Sequence, residues 1–210
     1  MIAVKICGIT NDLDAKLAVS MGASALGFIF YEKSPRYIDT KKAKMITRNN
    51  PNSKFIGVFV NEDSEYIKKV IDEVELHGIQ LHGNESNSFC QLFDVPVIKA
   101  IPLKPNLNKS IFNSYNVSAL LLDSYDRNLV GGTGKTFDWS SINLDQIKLP
   151  VILAGGLNNK NILKGIETVN PSALDISSGV EIRPRKKSKT KMKNIFSKLI
   201  YTKNKGYNFE

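Results

Sequence analysis

The fold is indicated first by residues 4–30, which read VKICGITNDLDAKLAVSMGASALGFIF. Residues 4–7 and 25–30 are short apolar runs rich in β-branched and aromatic side chains, as in buried strands. Residues 12–21, between them, carry apolar side chains at helical spacing. Because parallel strands need a long crossover connection, this order predicts two parallel strands joined through a helix.

The same alternation continues along the whole chain. Eight strands are predicted, at residues 4–7, 25–30, 55–60, 79–82, 97–101, 119–123, 151–154 and 173–177. Eight helices are predicted, at residues 12–21, 40–48, 64–74, 85–93, 107–115, 139–146, 160–168 and 189–201. Eight such units in 210 residues fit a closed barrel better than an open sheet, and no linker divides the chain. We therefore predict an α/β fold, a (β/α)8 TIM barrel in which residues 1–210 form one catalytic domain.

Charge and cysteine content limit the function classes. The formal net charge is +9, and the excess lies in residues 183–205, which are rich in Lys and Arg and hold no acid. We interpret this segment as the solvated face of a last helix rather than a nucleic-acid patch. The two cysteines form no paired framework, which predicts a reducing compartment without disulfides. No apolar run is long enough for a signal peptide or a membrane span, so we expect a cytoplasmic protein.

Strand alternation predicts where polar groups meet. Enzymes with this fold place the active site at the carboxyl ends of the strands. Lys5 shares a strand face with Cys7, and Gln80 shares one with His82. Asp123 and Asp175 lie on corresponding faces of later strands. These side chains are expected to converge on one mouth of the barrel.

Several segments resemble the signature stretches of the phosphoribosylanthranilate isomerase family, in family order. The first half carries Val4-Lys5-Ile6-Cys7-Gly8-Ile9-Thr10, Gly27-Phe28-Ile29-Phe30, Ser34-Pro35-Arg36-Tyr37-Ile38, Gly57-Val58-Phe59-Val60-Asn61 and Gln80-Leu81-His82-Gly83. The second half carries Leu122-Asp123, Gly132-Thr133-Gly134-Lys135-Thr136-Phe137-Asp138-Trp139, Ala154-Gly155-Gly156-Leu157 and Asp175-Ile176-Ser177-Ser178-Gly179-Val180-Glu181.

The resemblance implies an Amadori rearrangement of N-(5-phosphoribosyl)anthranilate in tryptophan biosynthesis. This reaction needs an acid that protonates the furanose ring oxygen and a base that removes the C2 proton of the resulting iminium. Cys7 matches the family's base and Asp123 its acid. The resemblance implies no cofactor and no metal, and a phosphorylated small molecule as the partner. A monomer and a homodimer are both compatible with the sequence.

Each of the two proposed catalytic groups must be in the right protonation state near neutral pH. A thiolate serves as a base only if its pKa falls below about 8.5, and Lys5 is expected to supply part of that stabilisation. A buried structural cysteine is the alternative for Cys7, and a core position is expected for Cys90. Asp123 must hold its proton near neutral pH. A strand-end aspartate that caps a loop is the alternative, and Asp126 is a competitor for the acid role.

The remaining candidate residues bind substrate. Arg36 resembles the family residue that holds the anthranilate carboxylate, a two-pronged task suited to a guanidinium, with a surface arginine as the alternative. His82 is a second candidate, or else a satisfied polar residue at the mouth. Asp175 is expected to orient hydroxyls or tune neighbouring charges. The phosphate is expected where the loops after the last two strands meet, at Gly155, Gly156, Ser178 and Gly179.

Two segments need separate interpretation. Residues 131–136 suggest a nucleotide-binding loop, but the pattern requires glycine at position 129, where Leu129 stands. We interpret them as a mobile loop that closes over the mouth. Residues 183–188 depart from the family's Pro-Gly-x-Lys-Asp-like turn, and the missing Gly and Asp put the start of the last helix in doubt.

Two other functions remain open at this point. The first is an aldolase in which Lys5 or Lys99 forms a Schiff base. The second is a non-catalytic basic protein that binds nucleic acid through its C-terminal lysines, although no nucleic-acid motif supports it.

Overall fold

The eight predicted strands form one closed parallel barrel, in the order in which they occur along the chain. A computed structural model describes residues 1–104, 107–124 and 147–209. The strands are β1 (Ala3–Cys7), β2 (Ala25–Ile29), β3 (Phe55–Phe59), β4 (Gly78–Leu81), β5 (Val97–Leu103), β6 (Ala119–Ser124), β7 (Val151–Leu153) and β8 (Ala173–Ile176). The TIM-barrel prediction is confirmed.

Six α-helices lie among the described residues. They are α1 (Asp12–Ser20), α2 (Thr40–Asn49), α3 (Ser64–Val74), α4 (Asn87–Cys90), α5 (Ile162–Val169) and α6 (Lys189–Leu199). Asn11, Asp39 and Asp63 begin the first three, and the side chain of each accepts a backbone N–H of the first turn. The helix predicted at residues 139–146 lies outside the described residues. No helix in the described part of the chain has the length and apolarity to cross a bilayer.

Two predicted helices are wrong in extent or type. The one placed at residues 85–93 covers only Asn87–Cys90, because the Glu85 side chain turns inward and accepts backbone N–H groups of Asn61 and Gly83. The one placed at residues 107–115 is a 3-10 turn, Lys109–Asn113. In the first case a tertiary contact overrode the apolar pattern, and in the second case a short polar cap did so.

Alternation along the strands divides the barrel into an inner and an outer layer. Val4 and Ile6 of β1 are fully buried and pack with helix residues such as Ala15 and Ala18. Lys5 and Cys7 therefore point to the opposite side, into the barrel. The register of β1 with β8 places Lys5 directly beside Asp175. The predicted convergence of polar side chains thus follows from strand geometry.

The C-terminal segment closes the amino-terminal end of the barrel, opposite the mouth. Tyr207 and Phe209 are buried, and their rings meet edge to face with centroids 5.2 Å apart. They share a hydrophobic cluster with small residues that begin four strands. These are Ala3, Ala25, Ala119 and Ala173. Alanine at these positions leaves room for the two rings.

We expect Phe209→Ala to lower the free energy of unfolding by about 3 kcal/mol, because a fully buried ring would leave a cavity under the strands. Urea denaturation followed by circular dichroism measures the change. Tyr201→Ala is the matched control, since Tyr201 is 91% exposed and its loss should change stability by less than about 0.5 kcal/mol. Equal effects of the two substitutions would contradict a role for Phe209 in the core.

The departure at residues 183–188 is accommodated locally. Strands β9 (Glu181–Arg183) and β10 (Lys186–Lys187) form a hairpin, and Arg185 in its turn adopts a φ of 70°, the left-handed region that glycine favours. Ser188 then caps α6 by accepting the backbone N–H of Lys191. The last helix therefore starts where the sequence predicted, without the family's Gly and Asp.

Candidate active site

A cavity of about 330 Å³ opens at the carboxyl ends of the barrel strands. It brings together all the predicted site residues except Gly179. Those that line it are Cys7, Arg36, His82, Asp123, Gly155, Gly156, Asp175 and Ser178. Cys90, by contrast, is buried away from this cavity in the cluster formed with the helices. The cavity therefore separates the two cysteines as the sequence predicted.

Cys7 lies at the end of β1 and pairs with Gly27 of β2, which has no side chain. A Cβ at Gly27 would lie 2.9 Å from Cys7 Sγ and 3.0 Å from Lys5 Nζ, so sulfur and ammonium flank the same point. Gly27 O also accepts the backbone N–H groups of Gly8 and Ile9, which fixes the turn after β1. The glycine thus makes space for the thiol and the lysine to approach each other.

The expectation that the pKa of Cys7 lies below its ordinary value is wrong. Burial raises the pKa of this thiol, because a thiolate in the barrel interior loses its hydration. The positive charges of Lys5 and Lys187 act in the opposite direction but do not outweigh burial. The free protein therefore holds Cys7 mainly as the thiol near neutral pH. Sequence alone could not weigh burial against the two cations.

We expect the rate at which iodoacetamide alkylates Cys7 to rise with pH through an apparent pKa above the ordinary thiol value, because only the thiolate reacts. A Cys90→Ala variant leaves Cys7 as the one thiol, and mass spectrometry of the labelled peptide gives the rate at each pH. Lys5→Met should move the apparent pKa higher still, since it removes a charge that stabilises the thiolate. An apparent pKa below the ordinary thiol value would contradict the effect of burial.

Lys5 is fully buried and bridges the barrel interior. Its ammonium donates to Asp175 Oδ1 at 3.0 Å and to Gln80 Oε1 at 2.9 Å. Burial acts to lower the pKa of Lys5, but the negative charge of Asp175 and the interaction with Cys7 outweigh it and raise the pKa. Lys5 therefore stays charged, and one carboxylate oxygen of Asp175 is committed to it.

Asp123 and His82 form a pair at the mouth. His82 Nε2 lies 3.2 Å from Asp123 Oδ2, and His82 Nδ1 lies 2.8 Å from the amide nitrogen of Gln80. Both ring nitrogens of His82 therefore have protein partners. This arrangement favours an orienting role for His82 over direct binding of substrate, while its ring still lines the cavity.

Arg36 is buried rather than a surface residue, and it forms a two-pronged pair with Glu181. Its Nε donates to both carboxylate oxygens at 2.9 and 3.1 Å, and its Nη2 donates at 2.7 Å. Lys187 Nζ donates to Glu181 Oε1 at 2.9 Å and to the backbone oxygen of Cys7 at 2.6 Å. Burial acts to raise the pKa of Glu181, but Arg36 and Lys187 outweigh it and lower the pKa. The carboxylate therefore stays charged.

Sequence reasoning assigned no role to Glu181 or Lys187. Glu181 ends a matched motif, and a buried arginine requires an acidic partner, so that motif was the available signal. Lys187 was counted as part of the basic segment. It is instead buried, with a pKa lowered by burial and partly restored by Glu181. Other lysines of this segment also bind backbone oxygens of the fold, as Lys191 does with Glu181 and Lys198 with Asn159.

The loop after β7 lines the cavity with two glycines. Gly155 and Gly156 have φ values of 80° and 69°, the left-handed region that glycine favours. The carbonyl of Gly156 accepts from Asn158 Nδ2 and Asn161 Nδ2, which fixes the turn. Neither glycine N–H donates a hydrogen bond to another described residue.

The loop after β8 approaches the same place. Ser178 lines the cavity, and a Cβ at Gly179 would lie 1.8 Å from the backbone oxygen of Leu157. Only glycine permits this contact between the two loops. Gly179 therefore contributes the close approach rather than a surface of the cavity.

The Schiff-base alternative is disfavoured by the environment of both lysines. Lys99 does not line the cavity; its ammonium is buried and donates to Glu85 Oε2 at 2.8 Å and to the backbone oxygens of Leu81 and Gly83. Lys5 is held charged by Asp175. A charged, buried amine cannot attack a carbonyl. Borohydride trapping with a carbonyl substrate remains the direct check.

Two sequence predictions cannot be placed on this site. Asp126, the alternative general acid, and the loop at residues 131–136 lie outside the described residues.

Comparisons with known proteins point in one direction. The family described as N-(5'-phosphoribosyl)anthranilate (PRA) isomerase matches residues 4–198. A curated N-(5'-phosphoribosyl)anthranilate isomerase from Pelobacter propionicus is 44% identical over 196 residues, which cover 93% of this chain and 94% of the relative.

Solved structures agree in fold and sequence. A phosphoribosyl anthranilate isomerase from Thermus thermophilus superposes with a TM-score of 0.86 at 36% identity, covering 94% of this chain and 98% of that one. Another phosphoribosyl anthranilate isomerase was crystallised with reduced 1-(o-carboxyphenylamino)-1-deoxyribulose 5-phosphate. It superposes with a TM-score of 0.81 at 38% identity, covering 94% of this chain and 97% of that one.

Proposed function

The chain belongs to the N-(5'-phosphoribosyl)anthranilate isomerase family, and from this premise we propose how its cavity carries out the reaction. The activity is the Amadori rearrangement of N-(5'-phosphoribosyl)anthranilate to 1-(2-carboxyphenylamino)-1-deoxyribulose 5-phosphate, a step of tryptophan biosynthesis. Asp123 is the general acid and Cys7 the general base. The observation that carries this proposal is that both line one cavity, from the ends of β6 and β1.

The positions of the two groups suit the two proton transfers. β1 and β6 are not neighbours in the barrel, so a substrate between them can meet the acid and the base on different sides. Asp123 protonates the furanose oxygen as the ring opens to the iminium. Cys7 then removes the C2 proton, and the electrons pass to the iminium nitrogen.

The raised pKa of Cys7 is compatible with this role, because the reaction itself changes the charge near the thiol. Ring opening creates a cation on the substrate, and a positive charge beside a thiol favours its thiolate. Lys5 and Lys187 act in the same direction. The base is therefore formed most readily when the iminium is present, which limits unproductive reactions of a free thiolate.

Arg36 is proposed to bind the anthranilate carboxylate. Its Nε and Nη2 are engaged by Glu181, whereas Nη1 donates to no described residue and Arg36 lines the cavity. Glu181 thus fixes the plane of the guanidinium and leaves one edge for a ligand. Asp175 is proposed to orient substrate hydroxyls, and Gly155, Gly156 and Ser178 to hold the phosphate through backbone N–H groups, with Gly179 allowing the two loops to meet there.

For Arg36→Lys we expect affinity for substrate to fall by roughly 1 to 3 kcal/mol, because one point charge replaces a planar donor that Glu181 orients. Titration calorimetry with reduced 1-(o-carboxyphenylamino)-1-deoxyribulose 5-phosphate, an analogue of the product, measures the loss of affinity. Arg48→Lys is the matched control, since Arg48 is exposed on α2. Unchanged binding in Arg36→Lys would place the carboxylate site elsewhere, and thermal unfolding of the variant separates lost binding from lost stability.

The whole chain is proposed to act as one catalytic domain, in the cytoplasm, as a monomer or homodimer, without a nucleic-acid partner. Complementation of a tryptophan auxotroph that lacks only this isomerase tests the activity. Growth without tryptophan is the expected result. A failure to restore growth by a protein that is expressed and folded would refute the proposed function.

A further inference from the structure

A continuous chain of hydrogen bonds joins the two sides of the active site through the barrel interior. It runs from Asp175 to Lys5, Gln80, His82 and Asp123, with successive separations of 3.0, 2.9, 2.8 and 3.2 Å. Lys5 and Gln80 are essentially inaccessible to solvent. Within such a chain each donor must face an acceptor, because a buried donor facing a donor is costly.

The direction of the chain is set at Lys5. An ammonium only donates, so the Gln80 atom that faces it must be the amide oxygen. The amide nitrogen of Gln80 then faces His82 Nδ1 and can only donate to it. Nδ1 must therefore be unprotonated, and a neutral ring carries its proton on Nε2. That proton points to Asp123 Oδ2.

We propose that Lys5 and Gln80 are positioning residues that hold His82 as the neutral Nε2–H tautomer, which donates to Asp123 Oδ2 and keeps the catalytic proton on Oδ1. No other described residue donates to the carboxyl group of Asp123. When Oδ1 releases its proton to the ring oxygen, the His82 bond becomes charge-assisted and stabilises the carboxylate that remains. The inference rests on the proposed role of Asp123 as the acid.

The tautomer can be observed directly by ¹⁵N NMR of the histidine ring. The chain holds only two histidines, so a His77→Gln variant assigns both sets of signals. The expected spectrum near neutral pH shows His82 with a protonated Nε2 and an unprotonated Nδ1. An Nδ1–H tautomer, or an imidazolium, would overturn the proposal without any substitution in the chain.

A second test reverses the direction of the hydrogen bond between the side chain at position 80 and His82. In Gln80→Glu both side-chain oxygens only accept, so the link to His82 needs a proton on Nδ1. The His82 signals should change, and kcat should fall by about 10- to 100-fold, more than KM changes, as when a supporting partner of an active group is lost. Gln91→Glu, at an exposed position, introduces the same charge and should keep parental kcat.

The outcomes separate the two proposals. If Gln80→Glu changes the His82 signals but keeps kcat, or lowers kcat with unchanged signals, the positioning role is refuted. Should that variant not fold, Gln80→Met must lower kcat, and parental turnover in it would refute the role. An inactive parent with the Nε2–H tautomer would refute the isomerase function alone. An active parent with another tautomer would refute the positioning role of Lys5 and Gln80 alone.

Discussion

Replacing Cys7 with serine is expected to leave the barrel folded and to lower turnover by about 10²- to 10⁴-fold, the range that general acid–base groups contribute. Serine fits the space beside Gly27 and Lys5, because oxygen is smaller than sulfur. An alcohol, however, does not supply a useful base near neutral pH, whereas the thiol can ionise once the iminium forms. Single-turnover kinetics with substrate in solution measure the loss.

The control for this experiment is Cys90→Ser. Cys90 is buried but does not line the cavity, so its substitution should keep turnover near the parental value. Thermal unfolding of both variants shows whether any loss comes from instability. Full activity in Cys7→Ser would remove the thiol from the mechanism.

The barrel and its mouth were predictable because they depend on local periodicity. In β1 the order Val4, Lys5, Ile6, Cys7 already assigns the two polar residues to one face, and the structure places that face inside. The position of each strand end then determines which side chains reach the cavity. Cys7 and Asp123 could therefore be placed at one mouth before any contact was known.

The electrostatics could not be predicted in the same way, since they depend on contacts between residues far apart in sequence. Arg36 is oriented by Glu181, which lies 145 positions later. The pKa of Cys7 depends on how completely the folded barrel removes water from the thiol. Alternation placed Gln80 and His82 on one face, but only the structure shows that Lys5 reaches Gln80 across the barrel. Spacing predicts directions of side chains, whereas pairing requires the closed fold.

Three buried lysines illustrate this limit. Lys5, Lys99 and Lys187 are nearly inaccessible, and each meets a buried acid: Asp175, Glu85 and Glu181 respectively. A buried cation without its partner is strongly destabilising, so each pair requires both members to be in place. The sequence singled out Lys5 and Lys99 as candidate site residues and left Lys187 in the basic segment, but it paired none of the three with its acid. Their partners are separated from them by 170, 14 and 6 positions, a range without any periodic signal.

For Asp123→Asn we expect the fold to be kept and turnover to fall by at least about 10²-fold. Asparagine has nearly the same shape, and its amide oxygen can accept the Nε2–H of His82 that Asp123 now accepts. It cannot release a proton to the furanose oxygen, so ring opening loses its acid. Steady-state and single-turnover rates measure the effect, and unchanged thermal unfolding would show that the loss is chemical.

Two further substitutions complete this test of the acid. Asp72→Asn removes the same charge from an exposed position on α3 and should leave turnover unchanged. Asp126→Asn should also keep most activity if Asp123 is the acid. Near-normal turnover in Asp123→Asn together with a large loss in Asp126→Asn would transfer the acid role to Asp126. The His82 bond to position 123 would then serve only to hold the end of β6, because no proton would leave that side chain during the reaction.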